Sequence, residues 1–266
     1  MAHYESVNGI YRKVNKIYVP TDGIYRDAKK RYDPVDGVYR QTFSGGGMTV
    51  GDLAVGTRMI VLRWGRPVPC IVIHQGKPSA DYDDSCDGTW LMTESILSEA
   101  QWSGAADLTS YSMSNANNVC LNWIAMLDEP GYSAVKTVKP PNYGAAYVLH
   151  PEHYDDFEAK AFLLSSAEVG VQDSYTIHGV PAGKDGAVLD YFKDCGAAAE
   201  PKRVAYLNGT ATAWWTRTEI QSSSAMAIYT DGEPTVPKKH NSRGIRPAFV
   251  LDSSTRIDPE GLVIIP

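Results

Sequence analysis

The 266-residue chain has little cysteine, and what it has is scattered: Cys70, Cys86, Cys120 and Cys195 form no C-x-x-C pair. That spacing argues against a structural zinc knuckle. A Cys70–Cys86 disulfide and buried free thiols both remain open, the second suiting a chain folded in a cytoplasm. No apolar run approaches the length needed to cross a bilayer. The start, "MAHYESVNG", has no basic stretch followed by an apolar core, so no signal peptide is expected. Positive charge is short as well. With 25 Lys+Arg against 31 Asp+Glu, the net charge is −6, which argues against a protein that coats nucleic acid. There is no G-x-S-x-G elbow, Walker loop or dinucleotide fingerprint. Carboxylates are plentiful, but no motif pairs them. No enzyme, no cofactor and no membrane insertion are therefore expected.

Tyrosine and glycine are abundant instead, with 16 and 23 residues. Both are common in turn-rich β structure and in binding surfaces, where Tyr supplies contact area at low entropic cost. Some of this richness is a repeat. "GIYRKVNKIYVPTD" from Gly9, "GIYRDAKKRYDPVD" from Gly23 and "GVYRQTF" from Gly37 recur with a period of fourteen. Tyr11, Tyr25 and Tyr39 align, as do Arg12, Arg26 and Arg40, and N-G, D-G and D-G turn signals precede them. Each unit reads as short strands separated by turns. Such ribbons bury little apolar surface alone, so they are expected to need a partner, either copies of themselves or a larger assembly. Residues 1–47 carry a net charge of +3, leaving −9 for the remainder. "SGGG" at 44–47 reads as a joint. The expected organisation is a β-repeat attachment segment over 1–43, a Gly-rich linker over 44–49 and a recognition domain over 50–266.

Within that domain, residues 49–76 carry strand-like runs broken by Gly and Pro. "SILSEAQW", "NVCLNWIAMLDE" and "PEHYDDFEAKAFLLSSAEVG" read as helices, and Val204 to Leu251 as strands with long loops. The expected fold class is α+β. Two motifs invite a metal. In "DDSCDGTWLMTE", Asp83, Ser85, Asp87, Gly88 and Glu94 fall at calcium-loop positions, but a Pro-containing strand precedes them where a helix is required. An acidic turn is the better reading. "HPEHYDDFE" spaces His150 and His153 for a metal, yet Pro151 with acidic residues behind it is a helix start. No metal site is expected.

The stretch "TATAWWTRT" at 210–218 poses the sharpest question. Neighbours in a strand face opposite ways, so Trp214 and Trp215 cannot share a face. One looks at a core, the other at solvent, a partner or a second layer. Alternatively both are buried, one on each side of a sheet, with Arg217 and Arg246 paired to carboxylates.

"RVAYLNGTATAWWTRT", "IYTDG" and "GIRPAFVLD", preceded in order by "GTWLMTESIL", "CLNWIAMLD" and "KAFLLSSAEV", resemble a domain family of uncharacterised function from gut bacteria and their prophages. The likeness covers about residues 50–252 and implies a C-type-lectin-like fold. The N-terminal repeat is similar to short modules of phage tail and baseplate proteins. Calcium-dependent sugar-binding lectins differ, because Thr235 follows Glu233-Pro234 and no W-N-D is present. The formylglycine-generating oxidases of similar fold need a cysteine pair near the C-terminal region, and no cysteine follows Cys195, so that chemistry is not expected. The resemblance implies a virion protein: a tail-fibre or receptor-binding head, homo-oligomeric and most simply trimeric, contacting a host-surface glycan or protein. It implies attachment to other virion proteins through residues 1–43. It places ligand contacts at Tyr206, Asn208, Trp215, Arg217, Glu219, Gln221, Tyr229, His240 and Asn241, where aromatic faces stack and polar groups direct hydrogen bonds. The alternative is a purely structural virion component, a baseplate or capsid decoration with no ligand.

Overall fold

The computed structural model describes residues 4–7, 10–13, 18–21, 24–27, 30–35 and 38–44 by backbone alone, then 47–104, 110–142, 157–171, 185–195, 199–221, 223–258 and 263–265. The repeat forms three hairpins: β1 (Tyr4–Val7) with β2 (Ile10–Lys13), β3 (Tyr18–Thr21) with β4 (Ile24–Asp27), and β5 (Lys30–Val35) with β6 (Val38–Ser44). Their innermost pairs, Val7–Ile10, Thr21–Ile24 and Val35–Val38, each enclose one N-G or D-G dipeptide. The period of fourteen is therefore a period of hairpins, each straddling the boundary between successive sequence units. Pro20 and Pro34 sit in two-stranded ribbons, where a missing N–H can face outward.

The rest of the chain supplies β7 (Met48–Thr49), β8 (Arg58–Arg63), β9 (Arg66–Gln75), β10 (Thr89–Thr93), β11 (Ser98–Gln101), α1 (Asn115–Ile124) and α2 (Gly131–Ala134). After these come β12 (Tyr206–Leu207), β13 (Thr210–Ala211), β14 (Trp214–Gln221), β15 (Ser224–Ile228), β16 (Pro234–Thr235), β17 (Ser242–Ile245), β18 (Ala248–Leu251), β19 (Arg256–Asp258) and β20 (Val263–Ile264). They build a seven-stranded sheet in the order β18–β10–β9–β8–β20–β19–β7, a five-stranded sheet in the order β11–β17–β14–β15–β16, and the β12–β13 ribbon.

Strand makes up 36% of the chain and helix 16%. The expectation of an α+β, C-type-lectin-like head with several helices is thus corrected to a mostly-β fold, with two α-helices among the described residues. The reason is local. "SILSEAQW" has a helix-compatible pattern, yet Ser98–Gln101 alternate in exposure and pair with β17. Short apolar runs fit either period until a partner strand decides. Residues 157–171 are irregular where a helix was expected, and they bridge Val138 to Ala159 and Phe162 to Ala248. α1 does form, capped by the Ser114 hydroxyl, which accepts the Asn117 N–H at 3.0 Å.

Two crossovers join the main sheets side by side, β10 to β11 and β17 to β18. Residues 244–248, "GIRPA", make the second. The Thr93 N–H bonds the Pro247 carbonyl at 3.0 Å, and the Arg246 guanidinium donates to the carbonyls of Thr93 at 3.0 Å and Glu94 at 3.2 Å. Gly244 lets the strands close, because a Cβ there would press on the Ile96 side chain at 2.7 Å. Between the sheets runs a chain of aromatic contacts, Tyr82–Trp90–Phe162–Phe157–Tyr111–Trp102, edge-on except for the tilted last pair, with ring centroids 5.3 to 6.4 Å apart.

Candidate functional site

β14 carries most of the residues singled out from sequence, and its burial overturns part of that expectation. Trp214, Trp215 and Arg217 have no exposed surface, and Glu219 retains 3%. Side chains do alternate along the strand, but both faces are covered. Trp214 donates its indole N–H to the Arg203 carbonyl at 2.9 Å, and Trp215 donates to that of Ala100 at 3.0 Å. Both tryptophans are core, as in the second of the two alternatives.

The pairing of β14 with β15 slips between Trp215 and Glu219, four steps on one strand matching two on the other. This bulge carries Arg217 to residues 163–168, where its N–H bonds the Leu164 carbonyl at 2.9 Å. There the guanidinium is saturated. Both Nη atoms pair with the Glu168 carboxylate, Nη2 to Oε1 at 2.7 Å, and the carbonyls of Pro141, Leu163 and Asp185 accept at 2.9, 3.0 and 3.0 Å. Glu168 also accepts the Tyr82 hydroxyl and the Ser165 N–H, each at 2.8 Å. Nothing of Arg217 is left for a ligand. Burial opposes its cation, but the Glu168 carboxylate outweighs burial and holds Arg217 above its usual range. Burial likewise raises the Asp185 carboxyl to about 6, against the pull of Arg217 and of the Thr218 hydroxyl that donates to it.

Glu219 is spent in the same way. It pairs with Lys239, whose ammonium lies 4.5 Å from the Trp102 ring centre. Burial lowers the Lys239 ammonium while Glu219 draws it back up. Arg246 departs from the sequence alternative: its guanidinium serves the Thr93 and Glu94 carbonyls and stacks 5.3 Å from the Trp214 ring, and burial depresses it to about 10. The Gln221 side chain lies outside the described residues.

Three loops keep expected residues at the surface. The β12–β13 ribbon turns at Asn208 and Gly209, whose φ values of +50° and +82° fit an N-G turn. It leaves Asn208 exposed and Tyr206 50% exposed. Between β15 and β16, Tyr229 is 49% exposed, and its N–H bonds the Glu233 carbonyl at 2.6 Å. Gly232 closes that turn at φ +90°, packed so tightly on Glu200 that a Cβ would overlap its carbonyl oxygen. Arg203, fully buried, donates to the Gly232 carbonyl at 3.2 Å while its own carbonyl holds Trp214. Residues 200–203 thus back the Tyr229 turn, while the Ile96 N–H bonds the Tyr206 carbonyl at 3.0 Å. Exposed His240 and half-buried Asn241 stand on another loop, anchored where the Trp102 N–H bonds the Lys239 carbonyl at 2.9 Å.

Among the described residues no group of three His, Cys, Asp or Glu could hold a metal ion. In the calcium-like stretch, Asp83 caps a short 3₁₀ turn by accepting the Ser85 N–H at 2.9 Å, and Lys77 pairs with Asp84 at 2.7 Å. His150 and His153 lie outside the described residues. All four cysteines are free and buried. Burial raises their thiols, Cys86 to about 11 and Cys120 to about 12, so neither supplies a thiolate at neutral pH.

One surface residue escaped the sequence reading. Trp64, 66% exposed, caps the β8–β9 turn. Its signal was present: two strand-like runs meet at "RWGR", and a tryptophan at a two-residue turn cannot reach a core.

No curated protein and no solved structure matches the chain. Residues 87–253 match a family described as "Domain of unknown function (DUF6273)", a stretch running from the acidic turn through β18 and so holding the Arg217–Glu168 core, both crossovers and all three exposed loops. The chain belongs to this DUF6273 family.

Proposed function

We infer that this is a phage virion protein, a tail-fibre or receptor-binding head whose C-terminal loops contact a host-surface glycan or protein, carried by an N-terminal hairpin array that joins it to other virion proteins in a homo-oligomer. One observation carries the reading. Tyr206 and Tyr229 stay half exposed on segments tied to the core, the first by the Ile96 N–H on its carbonyl at 3.0 Å and the second through Arg203 on the Gly232 carbonyl. Rigid, amphipathic aromatics on a preorganised base are what a binding surface uses. The tandem hairpins support the attachment half, since isolated ribbons are marginal in water and gain from a partner.

The test is binding of the fluorescent full-length protein to a panel of intact gut bacteria, beside a Tyr206→Ala/Tyr229→Ala variant. Strain-selective, saturable binding that the variant loses supports the reading. Absent binding favours a structural virion component without a ligand, and binding that the variant keeps moves the contact away from the Tyr206 and Tyr229 loops.

A further inference from the structure

The β8–β9 turn is built around a residue that does not suit it. Arg63 and Arg66 are the last paired residues of the hairpin, and Trp64–Gly65 form its two-residue loop with φ of +51° and +67°. Loops of this kind favour Asn-Gly or Gly-Gly; a bulky side chain in the left-handed region is a strained exception. The turn is nevertheless held firmly. The Asp128 carboxylate accepts the N–H of Trp64 at 2.8 Å and of Gly65 at 2.5 Å. Its own N–H bonds the Leu62 carbonyl at 2.9 Å, and Leu127 bridges to Arg63. An indole held outward, beside a partly exposed Leu62, is the result. Strain that the surroundings enforce is typical of sites with a task.

The charge at this tip is equally unresolved. Arg63 and Arg66 face each other across the last rung, where side chains start about 5 Å apart and like charges repel. Asp128 is the carboxylate at the tip, and both its oxygens are taken by backbone N–H groups. Arg63 lays its guanidinium 4.7 Å from the indole centre and donates to the Met126 sulfur at 2.9 Å. Arg66 is exposed, and neither arginine forms an ion pair among the described residues.

We propose that the β8–β9 tip is a binding site for an acidic saccharide, the sugar ring stacked on the open face of Trp64 and its carboxylate bridging Arg63 and Arg66. An indole face is an apolar platform for a ring, and the planar guanidinium fork matches a carboxylate. The body that carries this tip has a net charge of −9 outside residues 1–47. The two arginines therefore attract an anion against the field of the body, and the attraction is confined to short range. The turn itself lies outside residues 87–253, whereas Asp128, which holds it, lies within; the tip shares no residue with the Tyr206 and Tyr229 loops, so the two readings stand or fall apart.

The test is affinity electrophoresis of the full-length protein through gels containing polygalacturonate, neutral dextran or single-stranded DNA, with light scattering for mass. Polygalacturonate is expected to retard the protein in a salt-sensitive way, while dextran and DNA do not. Trp64→Ala and Arg63→Glu/Arg66→Glu each weaken retardation by about tenfold or more. Trp64→Asn separates binding from folding: Asn tolerates the left-handed turn, so retardation is lost while the melting temperature equals or exceeds that of the wild type. The proposal is overturned by absent retardation in polygalacturonate, by equal retardation of the Trp64 variants or by preference for DNA. A wild-type mass above one chain that collapses to one in Trp64→Ala would also overturn it, making the tip a contact between copies.

Discussion

Arg217 and Tyr206 look alike in the sequence, each a good ligand contact in a polar stretch, and the fold gives them opposite tasks. Removing the Arg217 side chain leaves Glu168 charged and buried without its partner. Arg217→Ala is expected to cost about 3–5 kcal/mol, read as a lower urea midpoint, whereas Tyr206→Ala, half exposed, should stay within about 0.5 kcal/mol. Asp185 makes a pH-dependent contribution. Its carboxyl is raised from 3.8 to about 6 in the fold, so the folded state binds the proton more tightly than the unfolded chain. The stability this group supplies is therefore fullest below pH 4 and is lost as pH rises through 6. Relative to Asp185→Asn, the wild type should gain on the order of 2–3 kcal/mol from pH 7 to pH 4, checked by urea midpoints of both proteins across that range.

At the scale of elements, turns were the most legible features. N-G and D-G dipeptides marked the hairpins of the repeat, because a two-residue turn admits few residue types. β11 and residues 157–171 were misread, since a short apolar run fits both periods and only a neighbouring strand or segment selects one. The bulge in β14 left no mark in the sequence; it accompanies the pairing of Arg217 with Glu168. Gly232 shows how an element positions a site. An Ala there meets the Glu200 backbone at a φ of +90°. Gly232→Ala should cost about 2 kcal/mol or more and, by shifting the Tyr229 turn, weaken any binding that Tyr229 supports. Thermal melts beside the cell-binding assay check both effects.

Across the molecule, residues 157–171 and the two crossovers tie the sheets together. The N–H groups of Thr93, Arg217 and Gly244, bonded to Pro247, Leu164 and Ala213, join segments far apart in sequence. They should exchange with deuterium only through global unfolding, at one common rate, while the N–H of Gly65 on the β8–β9 tip exchanges faster. Rapid local exchange at Gly244 would show β17 parting from β14 within the five-stranded sheet. The sequence alone determined the hairpin period, the turns of the repeat and helix α1, because these rest on spacing and on backbone chemistry read within a few residues. Tertiary structure decided which polar residues are free. A strand's alternation says that Trp214 and Trp215 face opposite ways, but not whether a second layer waits on each side, and Glu168, 49 residues away from Arg217 in the chain, is what turns that arginine from a contact into core.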